Sequence, residues 1–126
     1  MTVLILHGSM HVSSRLSHRL STTGYVTVVS GAQGAMQSVR LIAEFKPELV
    51  ILDAELEGGA GLEVLRKVKS FDSPPRIIMT SSSPYTQYRL ECFKGGADFY
   101  FQLPAEIEEL SDAISELSAA QPDRQG

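Results

Sequence analysis

Cysteine is almost absent: Cys92 stands alone in a chain of 126 residues. An internal disulfide is therefore excluded, a cytoplasmic setting is expected, and Cys92 reads as a small buried hydrophobe. A basic excess is missing too, with 11 Lys and Arg against 15 Asp and Glu and a net charge of −4. Nucleic-acid surfaces carry clustered Lys and Arg, and no stretch here supplies a cluster, so nucleic acid is not expected as a partner. Long apolar runs are also lacking. The longest, Val3–Leu6 and Leu49–Leu52, fall far short of the ~20 residues that a membrane helix needs. The N-terminus has neither the basic start nor the apolar core of a signal peptide. No segment repeats, and none is of low complexity.

What is present suits one packed domain. With 43% hydrophobic and 21% charged residues, an ordinary core can form and disorder is not expected. Residues 1–120 are read as that domain, and 121–126, "QPDRQG", as a frayed end or the start of a linker.

Short apolar runs alternate with amphipathic stretches. Strands are expected at 2–6, 25–30, 48–52, 76–80 and 98–103, since these segments are apolar and rich in β-branched or aromatic residues. Helices are expected at 12–24, 35–45, 61–70, 81–96 and 104–120. The second shows Met36, Val39 and Ala43 at helical spacing and must end before Pro47. The third places Leu62, Leu65 and Val68 on one face; the fourth has Ser83 as N-cap, Pro84 at its first position and Gly95–Gly96 as its stop. The fifth turns Ile107, Leu110, Ile114 and Leu117 inward and Glu106, Glu108, Glu109, Asp112 and Glu116 outward.

Five β–α units with uninterrupted apolar strands predict a parallel sheet covered on both faces, the three-layer doubly wound α/β architecture. Binding crevices in such folds lie beyond the carboxyl ends of the strands. The positions to inspect are therefore His7 and Gly8, Ser30, Asp53, Thr80 and Leu103.

Asp53 after a buried strand, the helix "GLEVLRKVK" opening eight residues later, Thr80 closing the next strand and "GGADFYF" before the last together resemble the receiver domain of bacterial two-component response regulators. The likeness spans about residues 2–118. It implies a flavodoxin-like (βα)5 fold with strand order 2-1-3-4-5. It also implies a phosphoryl acceptor at Asp53, a switch residue at Thr80 and a swinging aromatic at Tyr100. Implied partners are a histidine kinase, a downstream signalling protein, or a second copy through helix four, strand five and helix five, where Tyr85, Tyr88 and Phe93 fall. Phe93 is equally explained as core. The Leu103–Pro104 bond is expected to be cis if it follows the family's Lys-Pro.

The same resemblance exposes departures. The acidic pair that holds Mg²⁺ in receivers corresponds to His7 and Gly8, the lysine after strand five to Leu103, and a proline and an aspartate after the acceptor to Glu57 and Ala60. Mg²⁺ wants hard oxygen ligands. Asp53, helped by the neutral carbonyl of Glu55, is all that remains of that set, while His7 suits zinc or nickel better. Phosphoryl transfer depends on cationic stabilisation. One unit charge at ~4 Å is worth ~4 kcal/mol at an effective dielectric of ~20, and each ~1.4 kcal/mol is tenfold in rate. An atypical receiver follows, with Asp53 phosphorylated very slowly or not at all, no enzymatic turnover and no cofactor.

His7 then either pairs with Asp53 to mimic a fixed switch state or is a hydrogen-bonded histidine without a special role. His11 and His18 share a helix face but lie too far apart for one ion, and read as solvated. Two other functions stay open. An active receiver would accept phosphate on Asp53 with Mg²⁺ or an unusual metal. A flavodoxin-like FMN-binding protein would use "HGSMHVSSR" as a loop resembling a phosphate cradle, which leaves Asp53 without a purpose.

Overall fold

A computed structural model describes residues 2–7, 10–21, 27–30, 34–56, 60–82 and 86–120. Its elements run β1 (Thr2–Leu6), α1 (Met10–Ser21), β2 (Thr27–Ser30), α2 (Gly34–Phe45), β3 (Leu49–Asp53), α3 (Gly61–Lys69), β4 (Arg76–Ser81), α4 (Thr86–Lys94), β5 (Phe99–Gln102) and α5 (Ile107–Ala120). The five strands form one sheet in the order β2-β1-β3-β4-β5. Every pairing is parallel. This is the doubly wound, flavodoxin-like arrangement that the alternating pattern predicts.

The uninterrupted strands are explained by their two covered faces. Leu4, Leu6, Val50, Leu52, Ile77 and Met79 pack with Ile42, Val64, Leu65, Val68 and Cys92, so α2, α3 and α4 cover one side. Val3, Ile5, Leu49, Ile51 and Ile78 pack with Leu16, Leu20, Leu110 and Ile114, so α1 and α5 cover the other. All five residues of β3 are buried. Each such Leu, Ile or Val contributes ~1.5–3 kcal/mol of transfer free energy, which is why the central strands carry no polar alternation until Asp53.

One expectation needs correction. In α2 Ser38 and Ile42 are the buried residues and Val39 packs against the core, while Met36 is 76% exposed and Ala43 also faces out. Ser38 tolerates burial because its hydroxyl donates to the Gly34 carbonyl at 2.7 Å, one turn back. Of the two readings open for Phe93, the exposed one holds at 43% exposure, and Arg89 stacks over its ring at 5.8 Å. Cys92 is fully buried, as expected, and burial pushes its thiol up from 9.0 to about 11, with Glu91 adding to the rise. The helix stop at Gly95–Gly96 is present, with Gly96 at φ +104°. The Ser83–Pro84 cap, Tyr85, Gly8, Glu57 and the tail 121–126 lie outside the described residues, as do the side chains of His11 and Tyr88.

Candidate functional site

The site lies at the carboxyl edge of the sheet, on the α1/α5 face. Side chains alternate across a strand. Ile5, Ile51 and Ile78 all point into the α1/α5 core, so His7, Asp53 and Thr80, two residues further on, share that face. Register makes them neighbours. Leu6 pairs with Leu52, which sets His7 opposite Asp53, and Asp53 pairs with Thr80. One row thus holds an imidazole, a carboxylate and a hydroxyl.

Asp53 is 6% exposed. Its Oδ1 accepts the Glu55 N–H at 2.9 Å. Its Oδ2 lies 3.7 Å from His7 Nδ1. The structure therefore brings together the pair that the sequence suggested, at ion-pair range and beyond a direct hydrogen bond. Thr80 is wholly buried, and its Oγ1 has no hydrogen-bond partner. Its carbonyl accepts the Ala54 N–H at 2.8 Å, which ties β4 to the turn after Asp53.

Leu103 does not join this row as a polar group. It is 5% exposed and packs in the core with Leu110 and Ile114. Burying its side chain contributes about 2 kcal/mol, whereas a charge in its place would have to reach out of the core. The Leu103–Pro104 bond is cis.

Tyr100 lies on the opposite face, within the α2/α3/α4 core, at 9% exposure. Burial raises its pKa above 10.0, against a lowering hydrogen bond with the Ser81 side chain. Thr80 and Tyr100, expected together as a switch, thus point to opposite faces, with Ser81, next to Thr80 in β4, hydrogen-bonded to Tyr100.

Four contacts were not foreseen. Glu55 Oε1 accepts both the N–H and the hydroxyl of Ser82 at 2.9 Å, so its side chain bridges the β3 and β4 loops. Glu106 Oε1 accepts the Gln102 N–H at 2.7 Å, so it clips β5 to α5, and Glu108 is ion-paired with Arg19. Gly61 packs directly on the acceptor strand: a Cβ there would sit 2.2 Å from the Asp53 carbonyl oxygen. A glycine opening a helix just after a strand was the only trace of this in the sequence.

The resemblance implies Mg²⁺, and the donors present do not fit it. Asp53 is the one carboxylate on the row, its neighbour is an imidazole, and Gly8 brings no side chain. Among the described residues no group of three His, Cys, Asp or Glu gathers to hold an ion.

The response regulator receiver domain model matches residues 3–115, and the chain belongs to that family. It is similar to the nitrate/nitrite response regulator protein NarL of Escherichia coli K12, 28% identical over 95% of this chain and 56% of that one. The sporulation initiation phosphotransferase F of Bacillus subtilis is 27% identical over 89% of each chain. The receiver domain of the response regulator NarL from Mycobacterium tuberculosis superposes with a TM-score of 0.82 at 21% identity, covering 95% of this chain and 97% of that one. The chain spans about half the length of several curated relatives that it matches, at 48% of two of them. It is a receiver domain of two-component signalling, a class that acts with histidine kinases and downstream effectors. No described helix is long and apolar enough to cross a membrane. This family membership leaves the FMN reading unsupported; Gly8 and Ser9 of its loop lie outside the described residues.

Proposed function

We propose that this domain signals through protein contacts, without metal-dependent phosphorylation of Asp53 and without enzymatic turnover. The observation that supports it is the burial of Leu103 at the lysine position, 5% exposed, beside a row whose one carboxylate faces His7. Phosphoryl transfer needs positive charge on the developing phosphoryl oxygens. Removing a divalent ion and a lysine, at ~4 kcal/mol per unit charge at close range, slows it by several powers of ten.

Residues 1–120 form the signalling unit. Its docking surface is α4–β5–α5, where Leu90 and Phe93 are 60% and 43% exposed. The partner is a histidine kinase, a downstream protein or a second copy in the cytoplasm. The test is intact mass after incubation with Mg²⁺ and a small-molecule phosphodonor. The expected spectrum has no adduct. A phosphoryl-sized adduct that disappears in Asp53→Asn would establish the active-receiver alternative, with Thr80 and Tyr100 as its switch.

A further inference from the structure

Asp53 and Thr80 are paired across β3 and β4. Glu55 and Ser82, two residues further on in each chain segment, continue that register past the strand ends, and their side chains meet. Glu55 Oε1 accepts the Ser82 N–H and the Ser82 hydroxyl, each at 2.9 Å. One carboxylate oxygen thus takes both donors of the last described residue before α4, which opens at Thr86. Bonds to an ionised acceptor are roughly twice as strong as neutral ones. Ser82 is also exposed, so water competes for the same donors. Such a contact has two arrangements, closed as here, or open with both Ser82 donors on water.

Glu55 is tied to the row as well. Its N–H donates to Asp53 Oδ1 at 2.9 Å. Beside it, the Ala54 N–H donates to the Thr80 carbonyl at 2.8 Å. The turn after β3 therefore joins the Asp53 carboxylate at one end to Ser82 at the other. The Thr80 side chain supplies no parallel route. It is wholly buried and its Oγ1 has no hydrogen-bond partner, so a change at Asp53 breaks no bond of that hydroxyl.

We infer that Glu55 is the regulatory link between the Asp53 row and α4. With its bridge closed it holds Ser82 against the Asp53 turn; with the bridge open it lets Ser82 go. The inference rests on the α4 docking surface of the proposed function, where Leu90 and Phe93 are exposed, and it supplies the regulation of that surface. A partner that favours one arrangement of α4 shifts the bridge, and by linkage a change at Asp53 shifts the partner's affinity by the same factor. Neither event needs a phosphoryl group.

The test is amide hydrogen exchange and chemical shift by NMR on the full chain. In Glu55→Ala the Ser82 N–H loses a charged acceptor and is expected to exchange roughly tenfold faster or more, and the α4 amides shift. Glu55→Gln keeps an acceptor and restores most of the protection. Ser82→Ala keeps the N–H bond and has the smaller effect. The sharpest comparison uses Asp53→Ala, which removes the acceptor of the Glu55 N–H. It is expected to shift the α4 amides in the unmutated background and in Thr80→Val, and to add no shift once Glu55→Ala is present. Glu55 is half-buried in a turn, so its own variants test the bridge even where Asp53→Ala fails to fold. An α4 response to Asp53→Ala that survives Glu55→Ala, one that Thr80→Val abolishes, no α4 response at all, or unchanged Ser82 exchange in Glu55→Ala would each overturn the link. The phosphodonor experiment is separate: an adduct refutes the proposed function and leaves the exchange results as they stand, whereas failure of the link leaves the loss of phosphoryl chemistry in place.

Discussion

Two aspartates at opposite ends of the sheet show how differently one side chain is used. Asp98, at the amino end of β5, accepts the Ile77 N–H at 2.8 Å and Lys69 Nζ at 2.9 Å. Lys69 also donates to the Pro75 carbonyl at 3.1 Å, so the cation is held on both sides. Asp53, at the carboxyl end of β3, is far more buried; its Oδ1 accepts the Glu55 N–H at 2.9 Å and its Oδ2 faces the His7 imidazole at 3.7 Å. The fold spends a lysine where a carboxylate joins two strands and places a leucine where receivers carry one at the acceptor. Asp98 thus ties β4 to Lys69 as a structural carboxylate, whereas Asp53 stands in a row with an imidazole and a hydroxyl.

The comparison can be broken most severely through the backbone under Asp53. In Gly61→Val the new Cβ meets the Asp53 carbonyl oxygen at 2.2 Å and the Ala54 Cα at 2.6 Å. Neither atom belongs to a flexible side chain, so a loss above about 3 kcal/mol is expected in urea unfolding, at the upper end of overpacking costs. Asp98→Ala follows, at roughly 2 kcal/mol, because it leaves the Ile77 N–H and Lys69 without their acceptor. Asp53→Asn sharpens the contrast. The amide keeps the bond from Glu55 and removes a buried charge, so stability holds or rises by up to about 1 kcal/mol. A loss there as large as that of Asp98→Ala would erase the distinction.

Smaller effects concern the opposite face. Tyr100→Phe removes the hydrogen bond to Ser81 and is expected to cost about 1 kcal/mol in the same assay. The thiol of Cys92 holds its proton more tightly in the folded chain, at about 11 against 9.0. The unfolded chain therefore ionises first. The contribution is fully present below pH 9.0 and is lost as pH rises toward about 11. A series of urea midpoints across that window should fall, and should fall less in Cys92→Ala.

Much of the fold was legible because burial on both faces leaves a plain signal. The expected strands 2–6, 48–52, 76–80 and 98–103 fall within a residue at each end of β1, β3, β4 and β5. Helix faces were harder. Ser38 satisfies its own hydroxyl within α2 and so hides in the core, while Met36 is free to point outward. The start of α5 also shifted, from 104 to Ile107, because residues 103–106 form turns. At the site, Asp53, Thr80 and His7 were found by their places after strands, which parallel topology turns into a row. The Glu55–Ser82 bridge and the packing of Gly61 on Asp53 were invisible, since they join loops whose approach only the closed sheet decides.

The central claim is that the site has lost the charges that phosphoryl transfer requires. Intact mass with Mg²⁺ and a small-molecule phosphodonor tests it most directly, comparing the natural chain with a variant carrying His7→Asp, Gly8→Asp and Leu103→Lys. The predicted result is no adduct on the natural chain and a phosphoryl-sized adduct on the restored one, lost when Asp53→Asn is added. An adduct on the natural chain, removed by Asp53→Asn alone, would contradict it.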